Sequence, residues 1–255
     1  IIGALAGDAI TDADFNTAVG YLALSTNTLG SRNTAIGTVA LNEMNPTTAT
    51  DTYNTAVGYG AGEVISTGTQ NTLVGGLAGD AITTGTNNVV LGYNALGASQ
   101  TGTHNTAIGN SALGNQNVSG TNLNTAVGAG AGSQITTGIE NTLIGGAAGD
   151  ALTDADNNVA VGVNALGSDT LGSRSTAVGR GALGAQNFTT ATDSNNTAVG
   201  YTAGNSVTTG TSNSFLGATA GLNVTTGIRN TLVGSQAGDA LTDADDNVAV
   251  GALAL

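Results

Sequence analysis

The sequence predicts an all-β protein, a parallel β-solenoid (β-roll) of about 15 coils of 17 residues. Eleven of the fourteen spacings between its recurring motif glycines are 17 residues, and the other three are 21, 19 and 21. A strict period this short is typical of one coil of a solenoid. The array fills residues 1–255 and stops in mid-coil at both ends, so we expect a section cut from a longer array. The glycines are Gly3, Gly20, Gly37, Gly58, Gly75, Gly92, Gly109, Gly128, Gly145, Gly162, Gly179, Gly200, Gly217, Gly234 and Gly251.

Composition supports a thin solenoid core and excludes several classes of function. The chain has 41 glycines, three phenylalanines and no tryptophan, so its core consists of Ala, Val, Ile and Leu. One coil alone buries little surface, which favours long arrays or association between chains. A net charge of −13, with four arginines and no lysine, argues against nucleic acid as a partner. No apolar run approaches ~18 residues, so we expect no membrane-spanning segment in this fragment.

Within one coil, counted from its asparagine, each position has a preferred residue type. Positions 1 to 5 read Asn, Thr, Ala or Leu, then Val, Ile or Leu, then Gly; position 8 is Ala, position 12 is aliphatic, and positions 13–15 are often Thr-Thr-Gly. Glycine at positions 5, 9 and 15 interrupts any helix within two turns. Short β-branched runs bounded by Gly and Asn predict two or three short strands with tight turns in each coil.

Stacked coils place equal positions ~4.8 Å apart, so a repeated polar side chain forms a ladder. We expect each asparagine amide to donate to one neighbouring coil and to accept from the other, as stacked amides do in cross-β assemblies. The threonines of position 2 form a second ladder on the opposite face. We favour a structural role for both. The predicted asparagine ladder comprises Asn16, Asn33, Asn54, Asn71, Asn105, Asn124, Asn141, Asn196 and Asn230.

The coil also resembles the repeats of a known class of surface fibres. Asn105-Thr-Ala-Ile-Gly109 with Ala112, and Asn124-Thr-Ala-Val-Gly128 with Ala131, are similar to the head repeats of YadA-like trimeric autotransporter adhesins. Related repeats occur in phage tail fibres. The resemblance covers essentially the whole chain. It implies a left-handed β-roll, a homotrimer, and attachment from a cell surface or a virion fibre.

Three longer coils, around residues 41–53, 114–123 and 184–195, depart from the period. A solenoid accommodates insertions outside the stack, where they can contact a partner, although neutral drift in a tolerant loop explains them equally well. A column of tyrosines at position 6 (Tyr21, Tyr59, Tyr93 and Tyr201) could bind glycans or proteins, or could pack between coils. The predicted partner-binding residues of the longer coils are Met44, Pro46, Tyr53, Gln116, Asn117 and Phe188.

Acidic turns are the other departure, because Thr-Asp-Ala-Asp replaces Thr-Thr-Gly-Thr in three coils. Gathered carboxylates suit calcium, which takes 6–8 oxygen ligands, whereas aspartate is also common in exposed turns. If the replaced glycine has a positive φ, alanine would be strained there, which predicts a different turn. The candidate calcium ligands are Asp8, Asp12, Asp14, Asp150, Asp154, Asp156, Asp239, Asp243 and Asp245.

Together these patterns predict a non-enzymatic extracellular fibre segment that attaches to a host receptor, a matrix protein or a glycan. Its only histidine, His104, lies on a predicted turn, and no second residue type recurs around it. Two alternatives remain open. Regular threonine ladders are compatible with an ice-binding solenoid, which thermal hysteresis would reveal. Calcium-dependent folding would indicate a secreted β-roll section of a larger protein.

Overall fold

The computed structural model describes residues 1–255, in two compact units, Ile1–Asn124 and Thr125–Leu255. The chain is all-β, as predicted, with twenty strands and no helix. Each coil contributes one three-residue strand. In the first unit these are β1 (Thr17–Val19), β3 (Thr34–Ile36), β5 (Thr55–Val57), β6 (Thr72–Val74), β7 (Val89–Leu91) and β9 (Thr106–Ile108). In the second unit they are β11 (Thr125–Val127), β12 (Thr142–Ile144), β13 (Val159–Val161), β15 (Thr176–Val178), β17 (Thr197–Val199), β18 (Ser214–Leu216), β19 (Thr231–Val233) and β20 (Val248–Val250).

These strands pair in parallel with equal coil positions in register. In the first unit the order is β1-β3-β5-β6-β7-β9, and in the second β11-β12-β13-β15-β17-β18-β19-β20. Leu73 pairs with Val90, 17 residues later, and Leu143 pairs with Ala160 in the same way. The predicted parallel β-solenoid with a 17-residue repeat is therefore confirmed.

Six two-residue strands occur only beside the longer coils. They are β2 (Gly30–Ser31), β4 (Thr50–Asp51), β8 (Gly102–Thr103), β10 (Gly120–Thr121), β14 (Gly172–Ser173) and β16 (Thr192–Asp193). Each longer coil pairs its second strand with the coil before it: β4 with β2, β10 with β8, and β16 with β14.

The prediction of two or three strands per coil is wrong for most coils, since eight of the fourteen contain a single strand. The remaining residues form turns in which left-handed residues break any extended run. Gln70, Leu77 and Gly79, for example, have φ values of 59°, 56° and 57°. These turns still bond to the next coil one amide at a time, as Gly62 N does to Ala78 O at 3.0 Å.

The glycine of position 5 is required by the distance between coils. Gly75 has a φ of +133°, a region that is essentially restricted to glycine. A Cβ atom on Gly75 would lie 2.6 Å from the carbonyl oxygen of Gly92 in the next coil. The most regular residue of the motif is therefore the point where two backbones approach each other most closely.

The core is a column of small and aliphatic side chains that is balanced in volume between positions 3 and 9. Alanine at position 8 is fully buried in most coils, for example at Ala61 and Ala78. Where position 3 holds leucine or phenylalanine, position 9 is glycine: a Cβ on Gly221 would lie 2.6 Å from the Phe215 ring. Where position 3 is alanine, as at Ala177, position 9 of the same coil can hold a buried leucine, Leu183.

No helix in this chain has the length and apolar character needed to cross a bilayer.

Candidate functional site

The asparagines of position 1 form a buried hydrogen-bonded ladder. Asn71 Oδ1 accepts from the Asn88 backbone N–H at 3.1 Å and from Asn88 Nδ2 at the same distance. Asn71 Nδ2 donates to Asn54 Oδ1 at 3.1 Å and to Gly85 O at 2.9 Å. Since both ends of the amide are satisfied inside the protein, these side chains hold the coils together and offer nothing to a ligand.

The ladder contains more asparagines than the sequence analysis selected. Asn88 and Asn158 are fully buried members, and their Oδ1 atoms accept from the next coil's backbone N–H at 3.0 and 2.8 Å. The motif search missed them because valine follows each of them in place of threonine. Their equal distance from the motif glycine was the signal that could have found them.

The outward face of the strands carries two parallel columns with no charged residue. Threonine occupies position 2 in most coils, and Val, Ile or Leu occupies position 4. The aliphatic column is open to solvent, since Leu91 is 47% exposed and Leu216 is 51% exposed. The threonine column is interrupted at Val89, Val159 and Val248, where a second aliphatic side chain takes its place.

Four of the residues predicted to bind a partner face the protein interior. Met44 and Gln116 are fully buried, Pro46 is buried, and Phe188 is 5% exposed. Met44 and Gln116 occupy position 12, the inward position that Ile65 fills in a regular coil. The prediction that these four residues contact a partner is therefore wrong. Met44 and Gln116 precede the inserted residues, and Pro46 and Phe188 pack over Gly30 and Gly172 of the preceding coil.

Tyr53 and Asn117 are exposed, and their role in partner binding stays a prediction. Tyr53 is 51% exposed and belongs to a stacked cluster. The Arg32 guanidinium lies 4.8 Å from the Phe15 ring centroid and 5.7 Å from that of Tyr53, and Arg32 Nε pairs with Asp51 Oδ2 at 2.9 Å. The tyrosines of position 6 are exposed too, so they line the surface and do not pack between coils.

The carboxylates of the acidic turns bond to neighbouring coils. Asp156 Oδ1 accepts from the Ile139 backbone N–H at 2.8 Å, and Asp245 Oδ1 accepts from Ile228 N–H at 2.8 Å. Asp154 Oδ1 accepts from the Thr137 hydroxyl at 2.5 Å. These aspartates thus perform the inter-coil bonding that other residues perform elsewhere.

These turns do not need a different backbone. Gly138, which Ala155 replaces one coil later, does not have a left-handed φ. Ala155 is fully buried, and the bends around it follow the same pattern as those around Gly138. The prediction of a changed turn is wrong, because its condition, a positive φ at the glycine, is not met.

No three acidic or histidine side chains gather in a group that could hold a metal ion. Asp8, Asp12 and Asp14, with their counterparts in the two later acidic coils, therefore do not converge on one point. Calcium binding stays a prediction, and it would require oxygen ligands other than a cluster of three carboxylates. A comparison of melting temperatures with calcium and with chelator would test it.

Two aspartates at position 10 lie in a partly dehydrated environment. Burial raises the pKa of Asp80 and, in the same way, the pKa of Asp150 above the ordinary range for aspartate. Asp80 Oδ1 is buried and has no hydrogen-bond partner. Charge on these carboxylates therefore opposes folding.

A groove of ≈ 510 Å³ opens along position 10 of the second unit. Its floor contains Gly167 and Gly184, and its two ends are Asp150 and Asn205. Two consecutive coils have glycine where neighbouring coils have a side chain, and the side chains at the two ends reach over them: Asp150 Oδ1 lies 3.5 Å from where a Cβ of Gly167 would be, and Asn205 Nδ2 lies 2.5 Å from where a Cβ of Gly184 would be. Sequence analysis missed this site, although the Asp-Gly-Gly-Asn run down one coil position was visible in the sequence.

Arg180 lines the same groove and is the one arginine without an ion pair. Arg32, Arg174 and Arg229 each pair with an aspartate at 2.6 to 2.9 Å. The Arg180 guanidinium lies 5.9 Å from the Tyr201 ring centroid. The side chains of Asn164 and Ser168 also line the groove.

His104 is an exposed turn residue with a φ of 61°. Its Nδ1 lies 3.0 Å from the Thr103 hydroxyl. No other side chain forms a hydrogen bond with this imidazole, so the His104–Thr103 pair lacks the third, orienting group of a catalytic triad.

Comparison of the chain with protein-family models, with curated proteins and with solved structures gives no match.

Proposed function

We propose that this chain is a segment of an extracellular structural and adhesive fibre. The observation that carries the proposal is the division of labour within each coil. The repeated residues, Asn at position 1, Gly at position 5 and Ala at position 8, are used internally for stacking. What is left for function is the outside of the coils, where the side chains vary.

The exposed aliphatic column of position 4 supports association between copies of the chain. Large exposed apolar patches on soluble proteins mark interaction sites. Each copy presents the same uncharged pair of columns, so the same contact can repeat coil after coil. The arrangement we propose is the left-handed homotrimer that the resemblance to YadA-like head repeats implies. The alternative arrangement is a filament of many copies.

Attachment to a receptor, a matrix protein or a glycan would use the exposed polar and aromatic side chains. The tyrosines of position 6 support this role, because Tyr59, Tyr93 and Tyr201 each present a ring to solvent. Aromatic residues with one polar end are enriched where proteins meet partners.

The test is adhesion of beads that carry the intact chain to cultured cells and to purified matrix proteins. The proposal predicts retention well above that of beads coated with an inert protein. The double variant Tyr59→Thr/Tyr93→Thr removes two of the exposed rings. It should leave the fold intact, since threonine already occupies the same coil position at Thr38. An equal retention of chain-coated and inert beads on every surface would contradict the adhesive role.

Ice binding is a second candidate, supported by the outward threonine column. Threonine hydroxyls in register ~4.8 Å apart present a regular polar row. The fibre proposal predicts no thermal hysteresis. A clear gap between melting and freezing points, abolished by substitutions in the threonine column, would favour ice binding.

A further inference from the structure

We propose that the groove of the second unit binds a carboxylated sugar residue of a glycan, with the sugar carboxylate on Arg180 and its hydroxyls on Asp150 and Asn205. The inference rests on the proposed adhesive function, because it names a glycan as the attachment target. It adds a defined site and a chemical class of ligand.

Arg180 supplies the carboxylate contact. A guanidinium binds a carboxylate through two parallel hydrogen bonds, and no aspartate of the protein occupies that position here. The net charge of −13 is not a barrier, because charges beyond ~8 Å are largely screened at physiological ionic strength. Asp150 lies two coils away in the stack, a separation of ~10 Å.

The other groove residues suit sugar hydroxyls. Asp150 is half-buried, and an ionised carboxylate accepts hydrogen bonds from hydroxyl groups. Asn205 Nδ2 donates to Gly181 O at 2.8 Å, and its carbonyl oxygen is left without a hydrogen-bond partner in the protein. Asn164 and Ser168 add one exposed amide and one exposed hydroxyl. A sugar ring, which both donates and accepts around its rim, matches this mixed set better than an apolar ligand would.

The groove also has the size of a small-ligand site. Its ≈ 510 Å³ lies within the range of about 300–1,000 Å³ that such sites occupy. The backbones of Asp150 and Asn205 are three coils apart, ~14 Å, but their side chains reach toward each other over Gly167 and Gly184, so one sugar ring can contact both. The absence of a side chain at Gly167 keeps the space beside Asp150 open, while the Asn205 amide lies across Gly184.

The first unit repeats the column without its cation. Asp80, Gly97 and Gly114 are the equivalents of Asp150, Gly167 and Gly184, and Asn110 stands at the position of Arg180. Ser133 stands at the position of Asn205, so this surface lacks both the carboxylate contact and the amide.

The experiment is an NMR titration of the intact chain with the methyl glycosides of N-acetylneuraminic acid and glucuronic acid, and with neutral N-acetylglucosamine and glucose. We expect the two carboxylated sugars to bind and the neutral pair to bind more weakly. Arg180→Asn copies the first unit and should weaken binding of the carboxylated sugars by about tenfold. Its melting temperature should not change, since Arg180 is exposed and forms no ion pair.

Two further variants test whether the open groove and the position of the arginine determine binding. Gly167→Asn, which places at position 10 the residue found at Asn42, should fill the groove and abolish binding of both carboxylated sugars. Asn110→Arg should strengthen binding of carboxylated sugars to the first unit. Equal binding of neutral and carboxylated sugars, or an unchanged affinity in Arg180→Asn, would overturn the proposal. Bead retention on matrix proteins tests the adhesive function separately, so failure at the groove would not be confused with failure of that function.

Discussion

At the scale of single residues, the protein depends on side chains that are small or fully hydrogen-bonded. Gly145 illustrates the first kind, with a φ of +133° and the next coil's backbone 2.6 Å from where its Cβ would lie. Asn71 illustrates the second, with both ends of its amide bonded across the coil stack. Because each position repeats in every coil, a substitution in one coil disturbs its contacts with the coils on both sides.

Gly145→Ala should lower the free energy of unfolding by roughly 2–4 kcal/mol, because strain in a glycine-only region adds to a clash with Gly162. The adjacent Gly146→Ala is the control, since φ is not left-handed at Gly146 and the nearest atom to a new Cβ is 4.0 Å away. It should change stability by no more than about 0.5 kcal/mol. Equal stabilities of the two variants in urea unfolding would contradict the account of position 5.

Asp80→Asn should stabilise the protein at pH 7 and have no such effect under acidic conditions. Burial raises the folded-state pKa of Asp80 above its unfolded value. The destabilising charge is therefore fully present above the folded pKa and disappears as pH falls below the unfolded pKa. Melting temperatures of parent and variant across this range measure the effect. A gain that persists unchanged once the carboxyl is protonated would show that its charge is not the cause.

At the scale of the coil, packing depends on a balance of volume between positions 3 and 9. Phe215 occupies the space above Gly221, whereas Ala177 shares a coil with Leu183. The sequence thus contains both pairings, a large residue at position 3 with glycine at position 9, and alanine at position 3 with leucine at position 9. Leu183 has a φ of 49°, so leucine is accepted at position 9 in spite of its left-handed conformation.

Phe215→Ala should cost about 3–5 kcal/mol by leaving a cavity, and Gly221→Leu about 1–3 kcal/mol by overpacking. The double variant should be more stable than the sum of the two losses implies, by about 1 kcal/mol or more, because the introduced leucine side chain would fill the space that the ring leaves. Strict additivity in the double-mutant cycle would contradict the volume balance.

The coil also shows how far the sequence can be interpreted without coordinates. Period and residue type predicted the parallel stack and the asparagine ladder, because identical positions in register impose identical neighbours. They did not predict that Pro46 and Phe188 turn inward, since the direction of a side chain within an insertion is not set by the period. The groove at Arg180 was missed because it forms where side chains are lacking, at Gly167 and Gly184, and the sequence pattern draws attention to side chains that are present.

At the scale of the whole molecule, each unit of the chain presents an uncharged outer strand face with an aliphatic column. Leu91 in the first unit and Leu216 in the second are about half exposed on it. An isolated chain would keep this apolar surface in water, which favours contact with another copy. The fibre that we propose would therefore depend on association between copies, and its recognition of a partner would depend on the variable exposed side chains.

The mass of the native particle in sedimentation equilibrium tests this central claim most directly. We expect three copies of the chain per particle, or a larger filament. Leu91→Glu/Leu216→Glu should dissociate it into folded single chains, since a buried unpaired carboxylate is costly at an interface. A parent chain that stays a stable monomer at its highest soluble concentration would contradict the self-associating fibre.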